Sequence, residues 1–278
     1  MRSQICFSTF FVLLLSASAS AQTIETRSFT SADPALKGPS VALPSGKTLE
    51  TSIGIGSAAF RHHSDAPDVF WTAGDRGPNM TCAEAPAIVG DEVAANCRKL
   101  VNGRVYPTPG YTPSIYQVGL DRQAGTFKLL QTIPLRKAKT GDLITGLLNP
   151  QTKATKDTGM TIAGEVLPDD RDNVDLEGLV RLSDGTFWIA EEMGPSIAHV
   201  SADGRILKRF VPENAAADYA GAQAEISATL PSILSKRQGN RGIEGLAISP
   251  DEAFLYFIVQ NPLANPDAKA YQGARNTR

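Results

Sequence analysis

The chain has 278 residues, of which 42% are hydrophobic and 20% are charged, and its formal net charge is −2. This composition is typical of a globular protein with enough apolar residues for a core, and it argues against intrinsic disorder. The balance of 27 basic and 29 acidic residues leaves no basic field that would hold nucleic acid or an anionic membrane surface. The 24 glycines and 18 prolines indicate many turns, which favours short strands over long helices.

The first 21 residues have the pattern of a secretory signal peptide. Arg2 precedes the apolar run 10–15, which is too short to cross a bilayer, and Ala19-Ser20-Ala21 is an A-x-A cleavage sequence. An uncleaved anchor or a buried helix is the alternative interpretation. We expect the segment to be removed, leaving a periplasmic or secreted monomer without membrane contact.

Two cysteines, Cys82 and Cys97, remain after the signal is removed, because Cys6 lies within it. Exported proteins mature in an oxidising compartment, so an even pair of cysteines predicts a disulfide bond. Such a bond closes a loop of about 15 residues and contributes about 3 kcal/mol to stability in the chain-entropy model. Two free thiols or a metal-binding pair are the alternatives, although no histidine or second cysteine pair lies nearby in the sequence.

A sequence repeat gives the strongest indication of the fold. Its copies are residues 70–78 (FWTAGDRGP), residues 187–195 (FWIAEEMGP) and, more weakly, residues 255–262 (LYFIVQNP). An acidic or amide side chain stands at the same position in each copy: Asp75, Glu192 and Gln260. The second copy leads directly into Pro195-Ser196-Ile197, whereas the first copy reaches the same Pro-Ser-Ile sequence only at residues 113–115. We therefore interpret residues 79–112, which include both remaining cysteines, as an insertion.

A second matching element precedes each copy of the repeat. Residues 176–179 (LEGL) recur as residues 243–246 (IEGL), and residues 55–58 (IGSA) take the corresponding place in the first copy. In the second unit we predict strands at 177–182, 186–191, 196–201 and 205–211. Asp-Gly pairs between them suit tight hairpins, because such turns need positive φ angles.

Four antiparallel strands per repeat predict an all-β protein, specifically a β-propeller of four-stranded blades. A β-sandwich is the structural alternative, but a sandwich gives no reason for a repeated acid at a strand end. Three blade starts are visible, whereas propellers have about four or more blades. We therefore expect an incomplete propeller, truncated at its C-terminus.

The predicted organisation has three parts: a signal peptide (1–21), an N-terminal segment (22–49) and the propeller domain (50–278). Within the propeller domain, residues 134–166 are rich in Thr, Lys and Gly, and we expect them to form an irregular excursion between blades. Residues 213–228 are rich in alanine and are predicted to form a short helix.

These motifs resemble those of the phytase-like family, described as having esterase-like activity of phytase. The similar sequences are residues 75–77 (DRG), 175–185 (DLEGLVRLSDG), 191–192 (EE), 194–196 (GPS), 230–234 (LPSIL) and 240–247 (NRGIEGLA). The resemblance covers about residues 50–278 and is most specific at 172–262. Met193 departs from the family pattern, in which an aromatic or other residue is expected. The resemblance implies an exported β-propeller related to calcium-dependent phytases.

Equivalent positions on the innermost strands of a propeller form rings around a central channel. Glu177 and Glu244 would form one ring, and Asp75 and Glu192 another. Clustered carboxylates repel each other unless a cation neutralises them, and carboxylate oxygens are ligands that suit Ca²⁺. We therefore expect a calcium site with the ligands Asp75, Asp175, Glu177, Glu192 and Glu244. The alternative is that these acids only accept hydrogen bonds from backbone amides at strand ends.

The expected activity is calcium-assisted hydrolysis of a small-molecule phosphate ester. Glu192 and Glu177 are the predicted catalytic residues, with Glu192 as general base, and Arg76 and Arg241 are predicted to bind phosphate. The alternatives are a metal-assisted lactonase or other ester hydrolase, and a non-catalytic propeller that binds a ligand or a protein. The sequence contains no G-x-S-x-G motif, which argues against a conventional α/β-hydrolase.

Overall fold

The computed structural model describes residues 25–100, 102–148 and 157–273, and β-strands dominate this part of the chain. The predicted signal peptide, residues 1–21, lies outside the described residues. Within them, the strands form five separate sheets. The prediction of a mainly β chain is therefore confirmed.

The first half of the described chain forms three sheets. Its elements are β1 (Lys37–Ala42), β2 (Thr48–Ser52), β3 (Ala58–Phe60), β4 (Val69–Ala73), β5 (Met80–Thr81), α1 (Ala85–Val89), α2 (Glu92–Cys97), β6 (Gly103–Tyr106), β7 (Ser114–Asp121), β8 (Thr126–Pro134) and β9 (Thr158–Thr161). Strands β1 and β2 form an antiparallel hairpin, and β3, β4, β7 and β8 form a four-stranded antiparallel sheet in that order. The third sheet joins β5, β6 and β9, with β6 parallel to β9.

The second half contains one large sheet and one hairpin. Its elements are β10 (Leu176–Arg181), β11 (Phe187–Glu191), β12 (Ser196–Val200), β13 (Ile206–Pro212), β14 (Glu225–Leu230), β15 (Ile243–Ile248), β16 (Leu255–Val259) and α3 (Ala268–Gly273). Strands β10 to β13 form an antiparallel meander, and β14 extends it in parallel with β13. Strands β15 and β16 pair as an antiparallel hairpin. Single 3-10 turns lie at Pro34–Leu36, Ala216–Tyr219 and Ser232–Lys236.

The four strands predicted for the second repeat correspond to β10, β11, β12 and β13, with bounds that differ by one residue at most. The first repeat also has four antiparallel strands, and residues 79–112 lie between β4 and β7. The third repeat contributes the two strands β15 and β16. Closure of these sheets into a propeller stays a prediction.

The helix predicted for residues 213–228 is wrong. This segment has one 3-10 turn, Ala216–Tyr219, and then enters β14 at Glu225. An isolated helix of this length is marginal because helix nucleation is costly. Pairing with the open edge of β13, aided by the β-branched residues Ile226 and Thr229, outweighs the helix propensity of the alanines. Residues 134–166 are partly outside the described chain, and the described part contains β9.

The predicted disulfide bond between Cys82 and Cys97 is present. It lies within a separate hydrophobic cluster in which Cys97 packs with buried side chains such as Met80, Val89 and Val105. The insertion shares this small core with the β1–β2 hairpin and β9, through Leu43 and Met160. The disulfide connects the chain after β5 to the end of α2.

The larger core joins the first and second four-stranded meanders. It includes Trp71 from β4 and Phe187 from β11, whose rings meet edge to face at a centroid distance of 5.2 Å. The first strands of three sheets, β3, β10 and β15, also pack side by side, with β10 between the other two. This packing places the starts of the three repeats next to one another.

Two glycines allow the sheet of β10 to β14 and the hairpin of β15 and β16 to approach closely. A Cβ on Gly178 would lie 2.8 Å from Cβ of Leu246 in β15. A Cβ on Gly242, just before β15, would lie 2.0 Å from the carbonyl oxygen of Glu192. Because the second obstacle is backbone, only a shift of the whole hairpin would relieve it.

We predict that Gly242→Ala destabilises the protein by about 2–3 kcal/mol, the cost typical of overpacking at a tight contact. Gly110→Ala is the matched control, because a Cβ there meets no atom within 4 Å. Urea denaturation of both variants measures the effect. Equal stabilities would contradict the close packing of β15 against the chain after β11.

Candidate functional site

Two β-bulges position the repeated glutamates. In β10 the pairing with β11 shifts between Leu176 and Gly178, so Glu177 is the extra residue. In β15 the pairing with β16 shifts at the equivalent point, and Glu244 is the extra residue. A bulge releases one residue from the ladder and redirects its side chain. The Glu-Gly sequence therefore forms the same β-bulge in the second and third repeats.

The second set of repeated residues follows the next strand of each sheet. Asp75 comes shortly after β4, Glu192 directly after β11 and Gln260 directly after β16. The backbone N–H of Glu192 donates to the carbonyl of Asp175 at 3.0 Å, and that of Gln260 donates to the carbonyl of Gly242 at 2.9 Å. These bonds hold Glu192 beside the start of β10 and Gln260 beside the start of β15, where the bulge glutamates also lie.

Three carboxylates meet at this end of the sheets. One oxygen from each of Asp75, Asp175 and Glu177 lies within 4.8 Å of the other two. Burial, and then the negative charges of Asp175, Glu244, Glu192 and Asp75, raise the pKa of Glu177 to about 9. The structure therefore brings all five predicted ligands into one electrostatic cluster, which we call the carboxylate cluster.

The carboxylate cluster contains buried oxygens without hydrogen-bond donors. Within the described residues no hydrogen bond reaches Oδ2 of Asp175, Oε1 of Glu192, Oε2 of Glu244 or Oε1 of Gln260. The first two of these oxygens face arginine guanidinium groups at ion-pair distances of 3.4 and 3.6 Å, whereas, among these residues, those of Glu244 and Gln260 have no such counter-charge. Buried acceptors in folded proteins are normally satisfied, so a group of unsatisfied acceptors at one point needs an explanation. A cation with a preference for oxygen ligands fits this arrangement, because it replaces the missing donors and neutralises the charge.

The two predicted phosphate-binding arginines occupy different environments. Arg76 is 4% exposed, and its Nη1 lies 3.4 Å from Oδ2 of Asp175, which is 2% exposed. Arg241 has a side chain that is 44% exposed, and its Nη1 lies 3.6 Å from Oε1 of Glu192. Arg76 is thus an internal counter-charge of the cluster, whereas Arg241 lies at its border with solvent.

Met193, which follows Glu192 in the second copy of the repeat, packs against the buried arginine. Its Sδ atom lies 3.7 Å from Nη1 of Arg76, and the side chain is itself buried. The flexible, polarisable thioether suits this position, because it fills the space beside a guanidinium without adding a further charge.

Sequence reasoning missed Glu191, the buried neighbour of Glu192. Burial raises the pKa of Glu191 to about 8, although the positive charge of Arg209 opposes this effect. Its Oε2 accepts a 2.7 Å hydrogen bond from the N–H of Gly194, and its Oε1 accepts one from the N–H of Asp175 at 3.4 Å. Glu191 therefore fixes the backbone on both sides of the cluster. The sequence signal for Glu191 was the pair of adjacent acids in the second copy of the repeat. Glu192 matches Asp75 in the first copy, whereas Glu191 matches Gly74.

A polar cavity of about 600 Å³ adjoins the cluster at Arg241. Its other walls include Asn240, Arg104 and Asp157, together with the disulfide-containing insertion through residues such as Cys82. Arg104 donates a 2.6 Å hydrogen bond to Asp157, which keeps both groups in the wall. The cavity therefore has the insertion on one side and, through the half-exposed Arg241, the carboxylate cluster on the other.

Comparison with known proteins identifies the family. The model of the phytase-like family, described as esterase-like activity of phytase, matches residues 104–278. The chain belongs to this family. An uncharacterized secreted protein of Arthroderma benhamiae is 34% identical over 107 residues, which cover 34% of this chain and 21% of that protein. The aligned part thus spans about a fifth of that relative, and no solved structure matches the chain.

The relative from Arthroderma benhamiae is named as secreted. Among the described residues, no helix is both long and apolar enough to span a membrane. Cleavage of residues 1–21 stays a prediction.

We predict that the metal-free protein loses stability as the pH rises from about 6 to about 8.5. The pKa of Glu177 is about 9 in the folded protein but about 4.3 in an unfolded chain, so the folded state binds this proton more tightly. The resulting destabilisation is absent below the unfolded pKa and grows until the pH reaches the folded pKa.

Thermal melts in a chelator across this pH range measure the effect. Glu177→Gln removes the titrating group, so its melting temperature should depend less on pH than that of the wild type. An equal pH dependence in both proteins would show that Glu177 does not carry the raised pKa.

Proposed function

We propose that this domain is an exported, calcium-dependent phosphoesterase whose substrate is a small-molecule phosphate ester. The observation that carries the proposal is the set of buried oxygens in the carboxylate cluster that lack donors. Membership of the phytase-like family supports hydrolytic activity. The choice of calcium and of phosphate esters rests on the chemistry of the residues in and around the cluster.

The donor set suits a hard cation. Asp75, Asp175 and Glu177 would hold it, and Glu192 and Glu244 supply further oxygens nearby. Within the described residues the cluster contains no histidine or cysteine, the ligands that favour zinc and other softer metals. Calcium accepts roughly six to eight oxygen ligands in flexible geometry, which suits carboxylates from several strands. When bound, it would offset the charge of the phosphate and acidify a bound water.

Arg241 is the residue that we assign to phosphate binding. Its guanidinium is half exposed and lies only 3.6 Å from Glu192, so it can reach a phosphate group without leaving the cluster. Arginine presents a planar fork that matches two phosphate oxygens. Arg76 has no such access. Burial raises the pKa of Asp175, and we assign to Arg76 the role of opposing that rise.

Glu192 is the residue that we assign as general base. Burial, together with the charges of Asp175 and Glu244, raises its pKa to about 8 in the metal-free protein. Its Oε1 accepts no hydrogen bond from the described residues and faces the half-exposed Arg241 at 3.6 Å, so this atom can accept a proton from an attacking water beside the arginine. A cation beside Glu192 would favour the ionised form that this role requires.

The cavity of about 600 Å³ beside Arg241 gives the remainder of the substrate a place. Its walls carry the positive charge of Arg241, the Arg104–Asp157 ion pair and the amide of Asn240. These groups favour a polar ester with more than one hydrogen-bonding group. The insertion, held by the disulfide bond, forms part of this wall and would determine which substrates fit.

We predict that calcium raises the melting temperature of the wild-type protein and that Glu177→Gln abolishes this effect. Calcium at about 100 times its dissociation constant adds about 2.7 kcal/mol to the stability of a folded state that binds it. Glu213→Gln is the control, because Glu213 is exposed. The same calcium-induced shift in wild type and Glu177→Gln would contradict the proposed site.

Release of phosphate from simple phosphate esters tests the reaction itself. Glu192→Gln should lower the calcium-dependent rate by at least about 100-fold, the usual contribution of a general base. Arg241→Met should mainly raise KM. A calcium-induced shift without any phosphate release would favour the alternative of a binding domain and would overturn the assignment as a phosphoesterase.

A further inference from the structure

A second polar cluster lies at the opposite end of the packed strands β3, β10 and β15. The bulge glutamates Glu177 and Glu244 lie at the start of β10 and β15, whereas His62, Ser183 and Glu252 follow the ends of β3, β10 and β15. A strand rises about 3.3 Å per residue, so the two ends of these six-residue strands are about 17 Å apart. The second cluster is therefore separate from the carboxylate cluster.

His62 is the centre of the second cluster. It is 5% exposed, its Nδ1 lies 2.6 Å from Oγ of Ser64, and its Nε2 lies 3.3 Å from Oε1 of Glu252. The N–H of Ser64 also points to Nδ1, at 3.2 Å. Nδ1 therefore acts as the acceptor, and Nε2 carries the hydrogen that faces the carboxylate.

Glu252 is held in place for this contact. Its two oxygens accept hydrogen bonds from the N–H and the Oγ of Ser183, at 2.8 and 2.9 Å. Burial raises the pKa of Glu252, but the hydrogen bonds from Ser183 and the contact with His62 lower it overall. Its backbone has a φ of 58°, which is uncommon for a residue other than glycine and is typical of sites that the surrounding structure constrains.

The order hydroxyl, imidazole, carboxylate is the arrangement that activates a serine nucleophile. The imidazole accepts the hydroxyl proton, and the carboxylate orients the ring and stabilises its protonated form. The order depends on geometry and not on a sequence motif, so it does not require G-x-S-x-G. Ser64 is exposed and is therefore accessible to a substrate from solvent.

A cavity of about 460 Å³ adjoins His62 and Glu252. Its apolar wall includes Phe60, Ile248 and Pro250, and Arg61 supplies a positive charge. Ser64 is not itself part of this wall, so an ester attacked by Ser64 would place its short apolar acyl or alcohol group in the cavity and its carbonyl outside it.

We propose that Ser64 and His62 form a second catalytic site, which cleaves carboxylic esters, with Glu252 as the positioning residue. Ser64 Oγ bonds to the ester carbonyl carbon while its proton passes to Nδ1 of His62. The bond to the alcohol oxygen then breaks, and the alcohol leaves with that proton. Water next attacks the acyl group, giving one proton to His62 and releasing the carboxylic acid, and His62 returns the proton to Ser64.

A fluorophosphonate probe tests whether Ser64 is a nucleophile, because such probes phosphonylate activated serines and release fluoride. The folded protein, in a chelator, should gain one adduct, and peptide mapping should locate it at Ser64. Ser64→Ala should not react, whereas Ser52→Ala, which removes another exposed serine, should react as the wild type does. Absence of an adduct at Ser64 in the folded protein overturns the proposal.

Hydrolysis of p-nitrophenyl acetate in the same chelator tests turnover independently of the calcium site. Ser64→Ala should lower kcat by at least about 100-fold relative to Ser52→Ala. Glu252→Gln should lower kcat with KM unchanged, a separation that a purely structural role would not produce. Equal rates for Ser64→Ala and Ser52→Ala overturn the second site and leave the phosphoesterase proposal unaffected.

Discussion

The accumulation of negative charge where three sheets meet is the constraint on which the rest of the site depends. Five acids share one partly buried region, and within the described residues two arginines pair with two of them: the buried Arg76 with Asp175 and the half-exposed Arg241 with Glu192. Two guanidinium groups do not offset five carboxylates, so the metal-free site favours binding either protons or a cation. The raised pKa values of Glu177 and Glu192 correspond to proton binding, and the buried oxygens that accept no hydrogen bond favour cation binding. The close packing that glycines permit between the sheets creates this problem, and it also creates the site.

Much of the fold and of the carboxylate cluster could be predicted from sequence, because both are repeated. The Glu-Gly sequence recurs since each copy forms the same bulge: the glutamate leaves the ladder, and the glycine follows it. In β10 that glycine, Gly178, also allows the neighbouring β15 to pack closely. Strand ends in the second repeat were equally visible, because the Asp-Gly pairs at 184–185 and 203–204 fall between its predicted strands. Where local sequence determines local structure, the prediction and the structure agree.

Features that depend on distant contacts could not be predicted. The edge of β13 recruits the segment that becomes β14, and nothing in the alanine-rich sequence before it indicates this pairing. Arg76 stands beside an acid of the repeat, yet only the packed structure shows that it is an internal partner of Asp175. His62 and Glu252 are 190 residues apart in sequence, so their contact follows from the packing of the sheets and not from any motif.

The most direct test of the central claim is a crystal structure of residues 22–278 grown with calcium and measured for its anomalous signal. We expect one anomalous peak between the carboxylates of Asp75, Asp175 and Glu177, and its loss in crystals of Glu177→Gln. A structure at saturating calcium with no peak there, and with the acids paired to protein donors instead, would contradict the account.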